Sequence, residues 1–162
     1  MNAARSNAGR GLLCIAVLLV ALAVAAGELP YNEAADAKAE LKKVLIDARS
    51  AQKPVLVIFG ANWCEDCRAL DRSLKSGKNA ELIAGEFEVV KIDVGRFDRN
   101  LDVSKIYGDP IKTGIPAAVI LSPTSEMLYS TRAGELANAR KMNDEGVYGF
   151  FKEAIAKAKS QN

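Results

Sequence analysis

From residue 34 onward the chain switches between two spacings of apolar residues. Leu41, Val44, Leu45 and Ala48 recur at i, i+3, i+4 and i+7, which predicts a helix with one buried face, stopped by Pro54. Val55 to Phe59 is an unbroken apolar run ended by Gly60, the pattern of a strand covered on both faces. A helix opening at Cys64 turns Leu70 and Leu74 inward and ends near Ser76-Gly77, and a second short helix runs from about Asn79 to Phe87. Val89 to Asp93 reads as a strand. A long polar connection over 94–114 follows, with a short helix around Leu101 to Tyr107. Gly114-Ile115-Pro116 leads into the strand Ala117 to Leu121; Ser122 to Ser125 is a turn, and Met127 to Ser130 returns as a hairpin. Val147, Phe150, Phe151, Ile155 and Ala158 share one face of a closing helix. Strands that alternate with helices, then a hairpin and a helix, predict an α/β domain over 34–162. Its central sheet is mixed and flanked by helices on both faces.

The first 26 residues follow neither spacing. Arg5 and Arg10 precede an apolar run from Leu12 to Ala26, with small residues of the A-x-A kind at Ala23-Val24-Ala25. The run is shorter than the roughly 18–20 apolar residues that span a bilayer. It is read as a secretory signal over 1–26, cleaved near Ala25/Ala26, with 27–33 as a short linker. An uncleaved anchor is the alternative. Cys14 lies early in the run and leaves with the signal. The expected compartment is oxidising and outside the cytosol, in a bacterium the periplasm.

Removing the signal changes the charge. The whole chain carries 22 basic and 20 acidic residues; without Arg5 and Arg10 it carries 20 of each. A neutral mature chain gives no reason to expect nucleic acid or an anionic surface as partner. There is no histidine, which removes the commonest metal ligand and the usual general base. Two cysteines remain, Cys64 and Cys67, three apart in Ala61-Asn62-Trp63-Cys64-Glu65-Asp66-Cys67-Arg68.

Three uses of that pair are open: redox exchange, a structural staple, or part of a metal site. A loop this short removes little chain entropy, so stapling gains little. A closed zinc site needs four ligands, which this pair does not supply, although a thiolate pair can take Cu(I). Redox exchange fits the position. Residues i and i+3 share a helix face. The N–H groups of a first turn have no helical partner and stabilise a thiolate. Cys64 comes first and is expected to be the more exposed sulfur and the attacking one. Cys67, one turn in, resolves the mixed disulfide.

Trp63-Cys64-Glu65-Asp66-Cys67 after a buried strand, with Gly114-Ile115-Pro116 entering a later strand, resembles the W-C-x-x-C and G-I-P motifs of the thioredoxin superfamily. Among its members the chain looks most similar to exported bacterial thioredoxin-like proteins, over about residues 35–160. The resemblance implies a thioredoxin-like fold and an exported thiol–disulfide oxidoreductase acting on protein or peptide thiols and disulfides. It implies no cofactor beyond a Cys64–Cys67 disulfide, no metal, a monomer, and a membrane thiol-reductase as electron donor. It also implies that Pro116 is cis and faces the cysteines, that the Ile115 backbone pairs with an extended substrate segment, that Trp63 packs beside the disulfide, and that Gly134 forms a third lip of the groove. A thioredoxin-fold module for protein binding or copper handling is the alternative function.

Departures from the family pattern matter too. Thioredoxins carry a buried acid six residues before the first cysteine, where this chain has Ile58, and a lysine opposite, here aligned with Val89. On that alignment no buried ion pair is expected. The connection from Asp93 to Pro116 is longer than in a minimal thioredoxin, and Arg96-Phe97-Asp98-Arg99 within it is expected to border the groove.

Glu65, Asp66 and Arg68 are the expected tuning residues. Each carboxylate, roughly 7 Å from Cys64, costs a thiolate about 0.6 kcal/mol in water-like screening. The helix terminus returns about 0.3–1 kcal/mol. Arg68 adds a small favourable contribution. The balance predicts a thiol near its ordinary pKa and a fairly low reduction potential, hence a reductase or isomerase rather than a primary oxidant.

Overall fold

A computed structural model describes residues 29–161. The leader assigned to 1–26 lies outside them. Among the described residues no helix is long and apolar enough to cross a membrane.

The elements follow the apolar spacing closely. They are α1 (Ala37–Ala51), β1 (Val55–Gly60), α2 (Glu65–Leu74), α3 (Gly77–Glu86), β2 (Glu88–Asp93), α4 (Leu101–Ile106), β3 (Ala117–Leu121), β4 (Met127–Ser130) and α5 (Asp144–Lys159). Two short 3₁₀ turns, Pro110–Thr113 and Ala139–Lys141, were not anticipated. Helix starts carry the expected chemistry. Asp36 caps α1 by accepting from the N–H groups of Lys38 and Ala39, and Asn143 caps α5 by accepting from Gly146.

The strands form one four-stranded sheet in the order β2-β1-β3-β4. β1 runs parallel to β2 and antiparallel to β3. Every residue of β1 is buried, because the strand is central and both faces are covered. Val55, Val57 and Phe59 pack with Val90, Ile92, Val119 and Leu121 against Leu41 and Ala48 of α1 and Val103 of α4. Leu56, Ile58, Ala118 and Ile120 pack against Leu70 and Leu74 of α2, Ile83 of α3, and Val147 and Phe151 of α5. The second face therefore fixes α2 on the sheet and points its first turn at the carboxyl end of β1.

The expected linker needs correction. Residues 29–33 form no helix or strand, yet Tyr31 is 4% exposed and belongs to the core. Asn62 clasps it on both sides: the Tyr31 N–H donates to Oδ1 at 3.0 Å, and Nδ2 donates to the Tyr31 carbonyl at 2.9 Å. This segment is part of the domain.

Candidate active site

Gly60 closes β1, and four residues later Cys64 occupies the N-cap of α2 in extended backbone geometry. Its side chain takes the role that Ser or Asp usually plays there: the Cys67 N–H donates to Cys64 Sγ at 3.1 Å. A hydrogen bond to the charged form lowers a thiol's pKa, so this contact favours a Cys64 thiolate. The two cysteines are joined as a disulfide, with Cα atoms 5.2 Å apart. Cys64 keeps 6% exposure against 1% for Cys67, the order the sequence implied.

Facing the pair is the Ile115–Pro116 peptide, which is cis. The Ile115 carbonyl oxygen lies 3.7 Å from Cys64 Sγ. Gly134 stands beside the segment that feeds this bend. Its φ of +71° suits glycine, and a Cβ there would sit 2.7 Å from the Thr113 carbonyl oxygen. Its close approach is thus to the backbone leading into Gly114-Ile115, which it braces.

The other flank is aromatic. Trp63 is 45% exposed and donates from Nε1 to the Gly95 carbonyl at 2.7 Å. Phe97 meets its ring edge-on with centroids 6.3 Å apart, and the Arg96 guanidinium lies 5.6 Å from the ring centroid. The long connection after β2 packs against Trp63, the residue before Cys64, through residues 95–97.

The tuning residues are arranged differently from the sequence arithmetic. Asp66 is buried and accepts from the Arg140 N–H at 2.9 Å. The Arg140 guanidinium lies 3.3 Å from Glu65 and 3.4 Å from Asp66. One cation from the Ala139–Lys141 turn therefore offsets both carboxylates, and their cost to a thiolate falls below the sum expected for free acids. Arg68 donates to the Asn62 carbonyl at 2.9 Å, so it holds the loop before the cysteines.

A second correction concerns the space under the disulfide. Val89 pairs with Leu56, and it is Lys91 that lies opposite Ile58. Lys91 forms an ion pair with Asp71, which is 7% exposed and also meets Lys75 at 3.0 Å. An internal acid and lysine are present after all; the acid comes from α2, four residues after Cys67, and not from β1. Asp93, at the end of β2, is 5% exposed. Burial pushes its carboxyl above the usual range, with a further push from Glu33, against the opposing Gly95 N–H and Arg99. Tyr31 completes the group. Burial first, and then the negative charges of Asp71 and Asp93, push its phenol up, so it stays neutral.

Tyr31, Asp71, Lys91, Asp93 and Arg140 escaped the sequence reading. Lys91 alone carried a local signal, as a charge within the apolar run of β2. The strand, the cysteine-capped helix and the proline bend opposite are matched by a family model for thioredoxin-like proteins over residues 32–123, more than half of the chain. The chain belongs to the thioredoxin-like family. It is 58% identical to a disulphide isomerase from Xylella fastidiosa Temecula1 whose structure superposes with a TM-score of 0.76, covering 78% of this chain and 96% of that one. Thioredoxin C-2 of Corynebacterium nephridii is 42% identical over 48 residues, which is 30% of this chain and only 43% of that protein's length. A DsbH oxidoreductase shares the fold at 14% identity, with a TM-score of 0.55 over 96% of this chain and 95% of that one.

Proposed function

We propose that this thioredoxin-like protein is an exported thiol–disulfide oxidoreductase that reduces or reshuffles disulfides in proteins and peptides through Cys64 and Cys67. The observation that carries the reading is the Cys64 sulfur itself. It sits at the amino end of α2, accepts the Cys67 N–H at 3.1 Å, is joined to Cys67, and retains the larger exposure of the pair. The similarity to a named disulphide isomerase supports the same reading.

In the reaction, the Cys64 thiolate attacks a sulfur of the substrate disulfide. A Cys64–substrate bond forms, and the other substrate sulfur leaves with the electron pair and takes up a proton. Cys67, as thiolate, then attacks Cys64 Sγ. The Cys64–Cys67 bond forms and the first substrate sulfur leaves, so the substrate is reduced by two electrons and the cysteine pair oxidised by two. A substrate segment would lie extended along the Ile115 backbone beside Pro116, with Trp63 on one flank and the Gly134 turn behind the bend. No cofactor beyond the disulfide is needed. Outside the cytosol the dithiol must be regenerated, and a membrane thiol-reductase is the proposed donor.

The test is turnover of insulin disulfides with dithiothreitol, comparing the unmodified protein with Cys64→Ser. The unmodified protein should accelerate precipitation of the insulin B chain and the variant should not; equal rates would remove the enzyme reading. Equilibration with glutathione tests direction, since a reduction potential above that of glutathione would contradict a reducing or isomerising role.

A further inference from the structure

Gly60 is where two side chains meet. A Cβ built on it would fall 2.5 Å from Tyr31 Cζ and 2.9 Å from Cys67 Sγ, and still nearer the Tyr31 hydroxyl. Both the hydroxyl and the inner sulfur thus lie within 2.9 Å of one point, at the only place along β1 where the absence of a side chain leaves room for them. Among the described residues no hydrogen bond engages the Tyr31 hydroxyl, although the residue is 4% exposed and Asn62 pins its backbone at 3.0 and 2.9 Å. The hydroxyl and a sulfur that must become an anion during turnover thus border the same Gly60 position. We propose that the Tyr31 hydroxyl donates a hydrogen bond to the Cys67 thiolate and so holds the inner sulfur in its reactive form. This role rests on the thiol-exchange reading given above.

The surroundings explain why such a donor is needed. Cys67 is 1% exposed, so water does little to solvate a charge there. The charged groups facing Tyr31 are Asp71 from α2 and Asp93 from β2, both anionic when ionised and both unfavourable to a second anion. Asp71 is compensated by Lys91 of β2 and by Lys75, which caps the end of α2, and Asp93 by the Gly95 N–H and Arg99. No cation is thereby left to the sulfur from these pairs. The phenol offers a neutral donor that is kept protonated by its own burial and by the same two acids. In the resolving step Cys67 gives its proton to solvent base, the thiolate accepts from Tyr31 Oη, and its sulfur attacks Cys64 Sγ. The outgoing thiolate collects a proton from water, and Tyr31 keeps its own throughout.

The test uses the full chain loaded as a mixed disulfide between Cys64 and glutathione, with release of glutathione followed by rapid quench from pH 5 to 10. Release in the unmodified protein should rise with the ionisation of Cys67. Tyr31→Phe should move that midpoint upward by about one pH unit and slow release near neutrality by about tenfold, as expected for losing one hydrogen bond to a charged group. The pKa of Cys64, read by thiolate absorbance in a Cys67→Ser background, should not move with Tyr31→Phe. An unchanged release midpoint in a folded Tyr31→Phe protein overturns the proposal while leaving thiol exchange intact; failure of the unmodified protein to release glutathione at all removes the exchange reading instead. Site-specific 3-fluorotyrosine at position 31, a stronger donor of nearly the same shape, gives the second measurement. It should move the midpoint downward, and no movement there would also overturn the assignment, whether or not the phenylalanine variant folds.

Discussion

Gly60→Ala is the sharpest probe of how the site is packed. The new methyl group would lie 2.5 Å from Tyr31 Cζ and 2.9 Å from Cys67 Sγ, separations that packed atoms do not tolerate. The Gly60 backbone is not in the left-handed region, so alanine incurs no conformational penalty. It should even gain about 0.4–1 kcal/mol by restricting the unfolded chain. Against this stands an overpacking cost of about 1–3 kcal/mol, because Tyr31 is buried with its backbone held by Asn62 and Cys67 is tethered to Cys64. The net expectation is a loss of about 1–2 kcal/mol, or a drop of a few degrees in Tm for a domain of this size. Gly85→Ala in α3, where nothing lies within 4 Å of the built Cβ, is the matched control and should be stabilising. A double-mutant cycle assigns the cost: in a Tyr31→Ala background the ring is gone, and Gly60→Ala should lose most of its effect. Guanidinium unfolding followed by circular dichroism measures the parent and the four variants. A neutral Gly60→Ala, or a cost that persists in full without Tyr31, would refute the packing argued for this corner.

Other consequences can be checked separately. Arg140→Ala should uncover Glu65 and Asp66 and raise the Cys64 pKa by a few tenths of a pH unit, seen as a shift in thiolate absorbance; no shift would mean the carboxylates do not sense the sulfur. Lys91→Met should leave Asp71 with Lys75 alone and destabilise the fold by about 2–4 kcal/mol at neutral pH, the cost of an inadequately paired buried charge; the loss should shrink in the Asp71→Asn, Lys91→Met double variant. For Asp93 the folded carboxyl lies above its unfolded value, so the folded state holds the proton more tightly. Its contribution is therefore most favourable below the unfolded carboxylate range and declines as pH rises through the folded value. Asp93→Asn should remove that decline, and the stability difference between variant and parent should move in favour of the variant from pH 4 to 7; parallel curves would contradict the assignment.

The fold was legible because its strands are buried and its helices amphipathic, so periodicity alone separated them. Val55 to Phe59 and Ala117 to Leu121 announce central strands, and the boundaries found lie within one or two residues of those expected. The outer half of the site was legible too, since Trp63, Cys64 and Cys67 are contiguous and the bend at Pro116 has a motif of its own. The inner half was not. Tyr31 lies 31 positions before its clasp on Asn62, and Lys91 lies 20 positions after its partner Asp71. Such contacts are set by strand register, and the register assumed from family alignment was two residues off: Lys91, not Val89, stands opposite Ile58. Because side chains alternate with a period of two, that shift kept the correct face and lost the correct residue.

The two halves treat their sulfurs by different means. Cys64 draws its stabilisation from backbone, through the Cys67 N–H and the free end of α2, which any sequence folding this way would supply. Cys67 has no such resource, because its own N–H is spent on Cys64. Whatever steadies charge there must come from side chains on other elements. This chain pairs Asp71 with Lys91 and brings the Tyr31 hydroxyl to the Gly60 position that the inner sulfur also borders. A strand-borne acid at position 58 would have put a titrating carboxylate under the disulfide. With Ile58 there, the acid sits on the helix and is paired with a lysine from the neighbouring strand.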